Sequence, residues 1–273
     1  MIKKKTRIIL KLIYFWFLKI LYYFFKPFNI TILPSIKIGD KFNFEYSTNT
    51  RRFLFRKNTK KFGKIIFDSS LEESNLCTLG RKFNTNKSSL NLDGHRSGYT
   101  SLYNLLFYHL ENKNCSVAEI GIEKNASTKM WRKYFKKARI DCFEIDKRKI
   151  NLARKDKLKN VRYHYIDVND KKIIYSQFKK TRKKYDIIID DSTHLFDHQI
   201  NIILSTYKFL KSGGILVIED IYKFRKGHEE NKYHEKIKYI LKFFSYATFI
   251  DTPHINNFTA SWKNEKILLL IKK

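Results

Sequence analysis

Between residues 116 and 220, acidic residues recur at the ends of short apolar runs. SVAEIG ends in Glu119-Ile-Gly121 and IDCFEID in Asp146. VRYHYID ends in Asp167, YDIIIDD in Asp190-Asp191 with His194 shortly after, and ILVIED in Glu219-Asp220. A glycine after a first strand lets the backbone approach a ligand, and an acid after the second strand can accept both hydroxyls of a ribose. Asp146 follows Gly121 by 25 residues, which suits that pairing. The chemistry offered is nucleoside binding beside a rim of carboxylates and one imidazole. The loop after the first run reads Gly121-Ile-Glu-Lys-Asn-Ala-Ser127, so the full Gly-x-Gly-x-x-Gly pattern is absent. Without a glycine-rich turn for a pyrophosphate, NAD is disfavoured. S-adenosylmethionine (SAM) has no pyrophosphate and tolerates such a loop. Asn125 can supply a left-handed position that glycine would otherwise fill.

These residues act together only if the chain brings the run ends to one edge. Helical spacing of apolar residues marks 97–110, 126–135, 148–158, 171–180 and 197–210, with Ser-Gly-Gly at 212–214 closing the last of these and a long helix over 229–244. Residues 246–252 and 266–273 read as a terminal antiparallel pair. Five strand–helix alternations with near-continuous apolar strands predict an α/β fold with a parallel, doubly wound sheet, whose ligands bind at the carboxyl ends of the strands. No domain boundary falls after residue 80.

Three stretches, VAEIGIEKNASTKMW at 117–131, YDIIIDDSTHLFDHQ at 185–199 and LKSGGILVIEDI at 210–221, resemble the class I SAM-dependent methyltransferases. Within that family they are similar to the metal-dependent sugar O-methyltransferases of macrolide biosynthesis, their relatives in glycan gene clusters, and a cephalosporin hydroxylase-like group. KFNTNKSSLNLDGHRSGYTSLYNLLF at 82–107 resembles that group's lead-in to the first core helix. The likeness covers about 84–222. It implies a Rossmann-like seven-stranded sheet, mostly parallel, with an antiparallel C-terminal hairpin. It also implies that Glu119 and Gly121 line the methionine part of SAM, that Asp146 holds the ribose, and that Asp167 sits near the adenine. Asn125 and Asp190 group with these cofactor contacts. Asp191 and Asp220, with Glu219, would bind Mg²⁺, and His194 would be the general base. Asn86 stands where relatives often have Asp, and Ser192-Thr193 replaces Gly-Ser. The elementary chemistry agrees. A hydroxyl is a poor nucleophile near neutral pH, a carboxylate-held cation lowers its pKa, and a histidine can take the proton.

The rest of the chain carries charge rather than chemistry. Its 273 residues bear a net charge of +30 with pI near 9.9, and 43% are hydrophobic, enough for a sizeable core. Residues 1–64 hold 16 Lys/Arg against 2 Asp/Glu. Within residues 3–26, Lys4, Lys11, Lys19 and Lys26 fall at steps of seven or eight, close to whole helical turns, so they project from one side of an otherwise apolar helix. That is the pattern of a helix lying on a membrane surface. A spanning anchor and a helix packed on its own domain are the rivals. Each central lysine costs about 2.5–3.5 kcal/mol on insertion scales, against about 0.3–0.6 gained per large apolar residue, which leaves the arithmetic undecided. The chain therefore divides into an amphipathic helix at 1–27, a β-rich accessory segment at 28–79 and a methyltransferase-like domain at 80–273. Cys77, Cys115 and Cys142 form no Cys-x-x-Cys or Cys/His cluster, so free thiols in a reducing, cytoplasmic setting are the simplest account, with a peripheral position at the inner membrane face.

The expected function is SAM-dependent, Mg-assisted methylation of a sugar hydroxyl on a glycan or glycolipid, by a monomer or a homo-oligomer. Two rivals stand beside it. The high charge suggests a nucleic-acid enzyme. An Asn/Asp-Pro-Pro-aromatic motif cannot exist with prolines only at 27, 34 and 253, which leaves ribose 2′-O-methylation and disfavours nucleic acid as partner. The altered glycine loop suggests a non-catalytic, membrane-associated protein on the same fold.

Overall fold

A computed structural model describes residues 13, 16, 17, 20, 21, 23, 24, 27, 30–34, 53–57, 63–70, 73–91, 96–223, 225–254 and 264–273. The chain forms two compact units, Met1–Lys61 and Phe62–Lys273. In the first, the described positions between 13 and 24 are helical, and Ile13, Trp16, Phe17, Ile20, Tyr23 and Phe24 are exposed. The lysine stripe lies outside the described residues. β1 (Ile30–Pro34) pairs antiparallel with β2 (Phe53–Lys57). Among the described residues, no helix is long and apolar enough to cross a membrane.

The second unit is built on one sheet. Its strands are β3 (Gly63–Ile66), β4 (Ser116–Ile120), β5 (Arg139–Glu144), β6 (Val161–Tyr165), β7 (Tyr185–Asp190), β8 (Leu210–Ile218), β9 (Phe244–Asp251) and β10 (Lys266–Lys272). They lie in the order β3-β9-β10-β8-β7-β4-β5-β6. β4 to β8 run parallel, and β10 runs antiparallel to both β8 and β9. Seven strands match the expected topology. The eighth, β3, pairs parallel with β9 at the edge, which joins residues 63–66 to this sheet rather than to an accessory segment.

The strands are apolar because both faces are covered. Val117, Ile187, Ile189, Val217, Ile267 and Leu269 face one core; Ala118, Ile120, Ile188, Leu216, Ile218 and Leu268 face the other. That is the two-residue period of a strand read on two buried sides. The first core is closed by α1 (Asn75–Lys82), α2 (Tyr99–Phe107), α3 (Ala126–Tyr134) and α4 (Lys147–Lys155). The second is closed by α5 (Lys171–Thr181), α6 (Phe196–Thr206) and α7 (Glu230–Ile237). Each fully buried Ile or Leu contributes about 1.5–3 kcal/mol.

Two boundaries depart from the periodic pattern. The helix over 229–244 stops at Ile237, and Phe244 opens β9, because Phe244 and Phe249 are needed in the second core. Ser212-Gly213-Gly214 does not cap a helix. It lies inside β8, where the register against β7 shifts and Gly213 takes φ +73°.

Candidate functional site

A cavity of about 700 Å³ opens where β4, β5 and β7 end. It is lined by Ile120 to Lys124, Ala126 and Ser127 of the loop after β4, by Phe143 to Ile145 and Lys149, by Ile166 and Val168, and by Asp191 to His194. A polar flank of Asn84, Thr85, Asn86 and Asn91 completes it. The volume suits a ligand of nucleoside size.

Gly121 lines this cavity with φ +91°, and a Cβ there would collide with the Asp191 carbonyl oxygen. The ends of β4 and β7 approach too closely for any side chain. Asn125 takes the left-handed position, φ 63°, as its residue type suggests. It is buried, and its amide donates to Asp156 Oδ2 at 2.8 Å and Tyr163 Oη at 2.9 Å, so it shapes the loop without lining the cavity. Glu119 also lies behind the loop. Its carboxylate accepts Trp131 Nε1 at 2.9 Å and Thr128 Oγ1 at 3.1 Å, which fastens α3 to β4. Burial pushes this carboxyl up.

At the end of β5 the cavity wall is Glu144, not Asp146. Asp146 caps α4, accepting Arg148 N at 2.8 Å and facing the Arg148 guanidinium. Glu144 accepts the backbone N–H groups of Ile145 (2.8 Å), Asp146 (3.0 Å) and Ile122 (3.3 Å). The signal was present in the sequence: an aspartate just before a helix is a preferred N-cap, which leaves Glu144 as the terminal acid of the strand. Asp167 accepts Asn169 N at 2.9 Å, and its neighbours Ile166 and Val168 line the cavity in its place. Asp190 is buried; its Oδ1 takes the Ser192 amide and hydroxyl, its Oδ2 has no hydrogen-bond partner among the described residues, and burial pushes its carboxyl up to about 6.

Beyond the cavity wall the strand ends gather charge. Asp191, His194 and Asp220 each offer one ligand atom, all within 4.8 Å of one another. His194 Nε2 stands 3.4 Å from Asp220 Oδ2. His194 and Asp220 have φ of 59° and 55°, conformations that cost non-glycine residues about 1 kcal/mol or more and cluster at functional sites. Tyr99 and Tyr103, one turn apart on α2, donate to Asp220 Oδ1 at 2.7 Å and Glu219 Oε1 at 2.6 Å. Burial pushes both phenols up, and the facing carboxylates add to it.

Glu219 stands apart from the triad. Lys87 reaches in from the turn after α1 and places Nζ 2.5 Å from Glu219 Oε2 and 2.5 Å from Asp191 Oδ2. Burial opposes the charge on Lys87, but Asp191, Glu219 and Glu119 outweigh it and hold the ammonium above its ordinary range. The carboxylate oxygens of Asp191 and Asp220 fit a hard divalent cation such as Mg²⁺ or Mn²⁺, with the His194 imidazole beside them. Sequence patterning gives no sign of Lys87, Tyr99 or Tyr103 as site residues: the tyrosines sit at core spacing and the lysine in an irregular stretch.

No protein-family model matches the chain. Over 131 residues it is 28% identical to the 8-demethyl-8-(2-methoxy-alpha-L-rhamnosyl)-tetracenomycin-C 3'-O-methyltransferase of Streptomyces olivaceus, covering 45% of this chain and 32% of that protein. It is 25% identical over 132 residues to the 8-demethyl-8-alpha-L-rhamnosyl tetracenomycin-C 2'-O-methyltransferase of the same organism, covering 33% of it. The matches thus span about a third of the length of these curated relatives. Among solved structures, MycE methyltransferase from the mycinamycin biosynthetic pathway, in complex with Mg, SAH and mycinamycin VI, superposes with a TM-score of 0.55 at 18% identity, covering 74% of this chain and 55% of that one. The fold is that of a class I methyltransferase. In sequence, the chain resembles two sugar O-methyltransferases over less than half its length.

Proposed function

We propose that the chain is a SAM-dependent O-methyltransferase acting on a sugar hydroxyl, assisted by a divalent cation. One observation carries this reading: Asp191 and His194 line the nucleoside-sized cavity and at the same time belong to the triad with Asp220. A cofactor site and a hydroxyl-activating site therefore share a wall. Two relatives named as rhamnosyl O-methyltransferases support the sugar acceptor.

Glu144 and the Gly121 backbone would hold the nucleoside, and Ile166 and Val168 would flank its base. Asn125 and Glu119 would keep the loop and α3 in place. When bound, SAM would supply an electrophilic methyl group, and a cation on the Asp191 and Asp220 carboxylates would acidify the acceptor hydroxyl, leaving His194 free of the metal. His194 would take the hydroxyl proton, and the imidazolium so formed would rest against Asp220. A glycan or lipid-linked acceptor at a membrane surface is the finer form of the proposal. Its support is the exposed apolar set Ile13, Trp16, Phe17, Ile20, Tyr23 and Phe24 in a basic N-terminal segment.

The test is calorimetry of SAM and SAH on the full chain, with and without Mg²⁺, followed by mass spectrometry of rhamnosylated acceptors. Micromolar binding and a gain of one methyl group per acceptor, abolished by EDTA, are expected. Absence of SAM and SAH binding in every condition would overturn the reading.

A further inference from the structure

In the loop after β7, Ser192 is tied to Asp190 at 2.6 Å and Thr193 to His198 at 2.8 Å, partners close by in the chain. His194, with its left-handed φ of 59°, draws on a distant one. Its carbonyl faces His228 Nε2 at 3.1 Å, 34 residues further on. A carbonyl oxygen only accepts, so His228 donates through Nε2, and a neutral ring carries its one proton there. Burial pushes the pKa of this imidazole down, which favours the neutral form. The residue is 5% exposed, and its Nδ1 has no hydrogen-bond partner among the described residues. The ring meets Phe196, the first residue of α6, and Tyr222, just after β8, each at a steep angle. A tight turn delivers it. Gly227 takes φ +101°, Glu229 Oε2 accepts the Gly227 N–H at 2.9 Å, and the Arg225 carbonyl accepts the His228 N–H at 3.1 Å. One imidazole therefore joins the loops after β7 and β8.

We propose that His228 is the positioning residue of the general base: its Nε2–H holds the His194 peptide in the left-handed conformation that sets the His194 imidazole at the cavity wall and beside Asp220. Its contact with His194 is to the main chain, so it acts through His194 and not on the reacting atoms. Without that bond, the strained conformation loses an enforcing contact, and the backbone can relax to the regions that residues with a Cβ prefer. Such a relaxation re-aims the side chain, and a misplacement of about 1 Å at a reacting group costs on the order of 10²-fold in rate. The requirement is for a donor. Leucine can fill the space between Phe196 and Tyr222 but leaves the carbonyl unheld, whereas a glutamine amide can donate from near the place of Nε2. This inference rests on the general-base reading of His194, and its test separates the two.

The measurement is steady-state methyl transfer from SAM to a rhamnosylated acceptor by the full chain, His228→Leu, His228→Gln, His194→Ala and the His194→Ala/His228→Leu double variant, with ¹⁵N spectra of the histidine rings. His228→Leu should lower kcat about ten- to a hundredfold while the acceptor KM and the SAM affinity stay within about threefold of the parent. His228→Gln should recover kcat to within about threefold of the parent, a rescue that packing alone does not explain. In the His194→Ala background, His228→Leu should lower kcat no further, because its effect passes through His194. The ring nitrogens of His228 in the parent should report the proton on Nε2. A proton on Nδ1 overturns the proposal even if His228→Leu does not fold. Parent-like kcat in His228→Leu overturns it as well, as does a full additional loss in the double variant, which would mark a merely structural residue. Parent-like turnover in His194→Ala removes the general-base reading and this role of His228 with it, while the ring spectra still report whether the bond itself exists.

Discussion

His194 Nε2 lies 3.4 Å from Asp220 Oδ2, and both residues hold left-handed backbone conformations at the ends of neighbouring strands. Strain of this kind persists only where surrounding structure enforces it. Here the His194 carbonyl accepts His228 Nε2 at 3.1 Å, and Asp220 is held by Tyr99. These contacts hold the imidazole at the cavity wall. His194→Ala should lower kcat about 10²- to 10⁴-fold, the usual worth of a general base. SAM affinity should change little. Single-turnover methyl transfer measured beside calorimetry checks both parts; parent-like turnover would remove the base assignment.

Glu144 and Asp146 make a second pair that experiment can separate. Glu144 faces the cavity while Asp146 caps α4. Glu144→Ala should weaken SAM binding by about ten- to a hundredfold, the cost of charge-assisted hydrogen bonds worth roughly 1.5–3 kcal/mol. Asp146→Ala should cost about 0.5–2 kcal/mol of stability, as loss of an N-cap does, and leave affinity near that of the parent. The reverse ranking in calorimetry would return the ribose role to Asp146.

Gly121→Ala tests the close approach of β4 and β7. The residue has φ +91°, and its Cβ would strike the Asp191 carbonyl. Relieving that collision means moving the strand end that carries Asp191. A lowered Tm is expected, with a stability loss of about 1–3 kcal/mol or more, together with loss of both SAM and metal binding. Unaltered binding would show that the strand ends have room to part.

Away from the cavity, Asp141 gives a pH dependence. Its buried carboxylate accepts Arg162 Nε at 2.9 Å, His164 Nε2 at 2.8 Å and the Tyr185 hydroxyl at 3.0 Å. Burial alone would raise its pKa, but His164, Arg162 and Tyr185 prevail and hold it below the usual carboxylate range. A depressed folded-state pKa contributes stability that is present above the unfolded value, near 3.9, and is lost as pH falls through the folded one. Unfolding free energy should therefore drop below about pH 4 in the parent. Asp141→Asn should be roughly 2–3 kcal/mol less stable at pH 7 and lack this contribution to the acid slope. Urea titrations from pH 7 to pH 3 would show it, and parallel slopes would refute it.

The parallel sheet was legible because apolar runs ending in acids repeat from Ser116 to Asp220 with helical spacing between them. Those signals are local. The site was legible only down to the strand ends. Which acid of Glu144 and Asp146 faces the cavity depends on where β5 stops and α4 starts, a boundary that a single residue decides. Lys87 comes from a turn 104 residues before Asp191 and 132 before Glu219, and no periodicity reports such a meeting. Tyr99 and Tyr103 carry the spacing of core residues and also fill that role, their hydroxyls alone reaching the acids. β3 differs: KFGKIIFD at 61–68 alternates as a short strand does, but an edge strand of four residues with Ile65 and Ile66 exposed does not report which sheet it joins.

The place of β10 between β8 and β9 sets an order of assembly. During synthesis β9 leaves the ribosome before β10, yet β10 is its bridge to β8. Until residues 266–272 arrive, β9 can pair only with the short β3, and an apolar strand edge stands open to neighbouring nascent chains. Slow translation or a stall in this interval should therefore favour aggregation, and a chaperone that shields strand edges should raise the yield of folded chain.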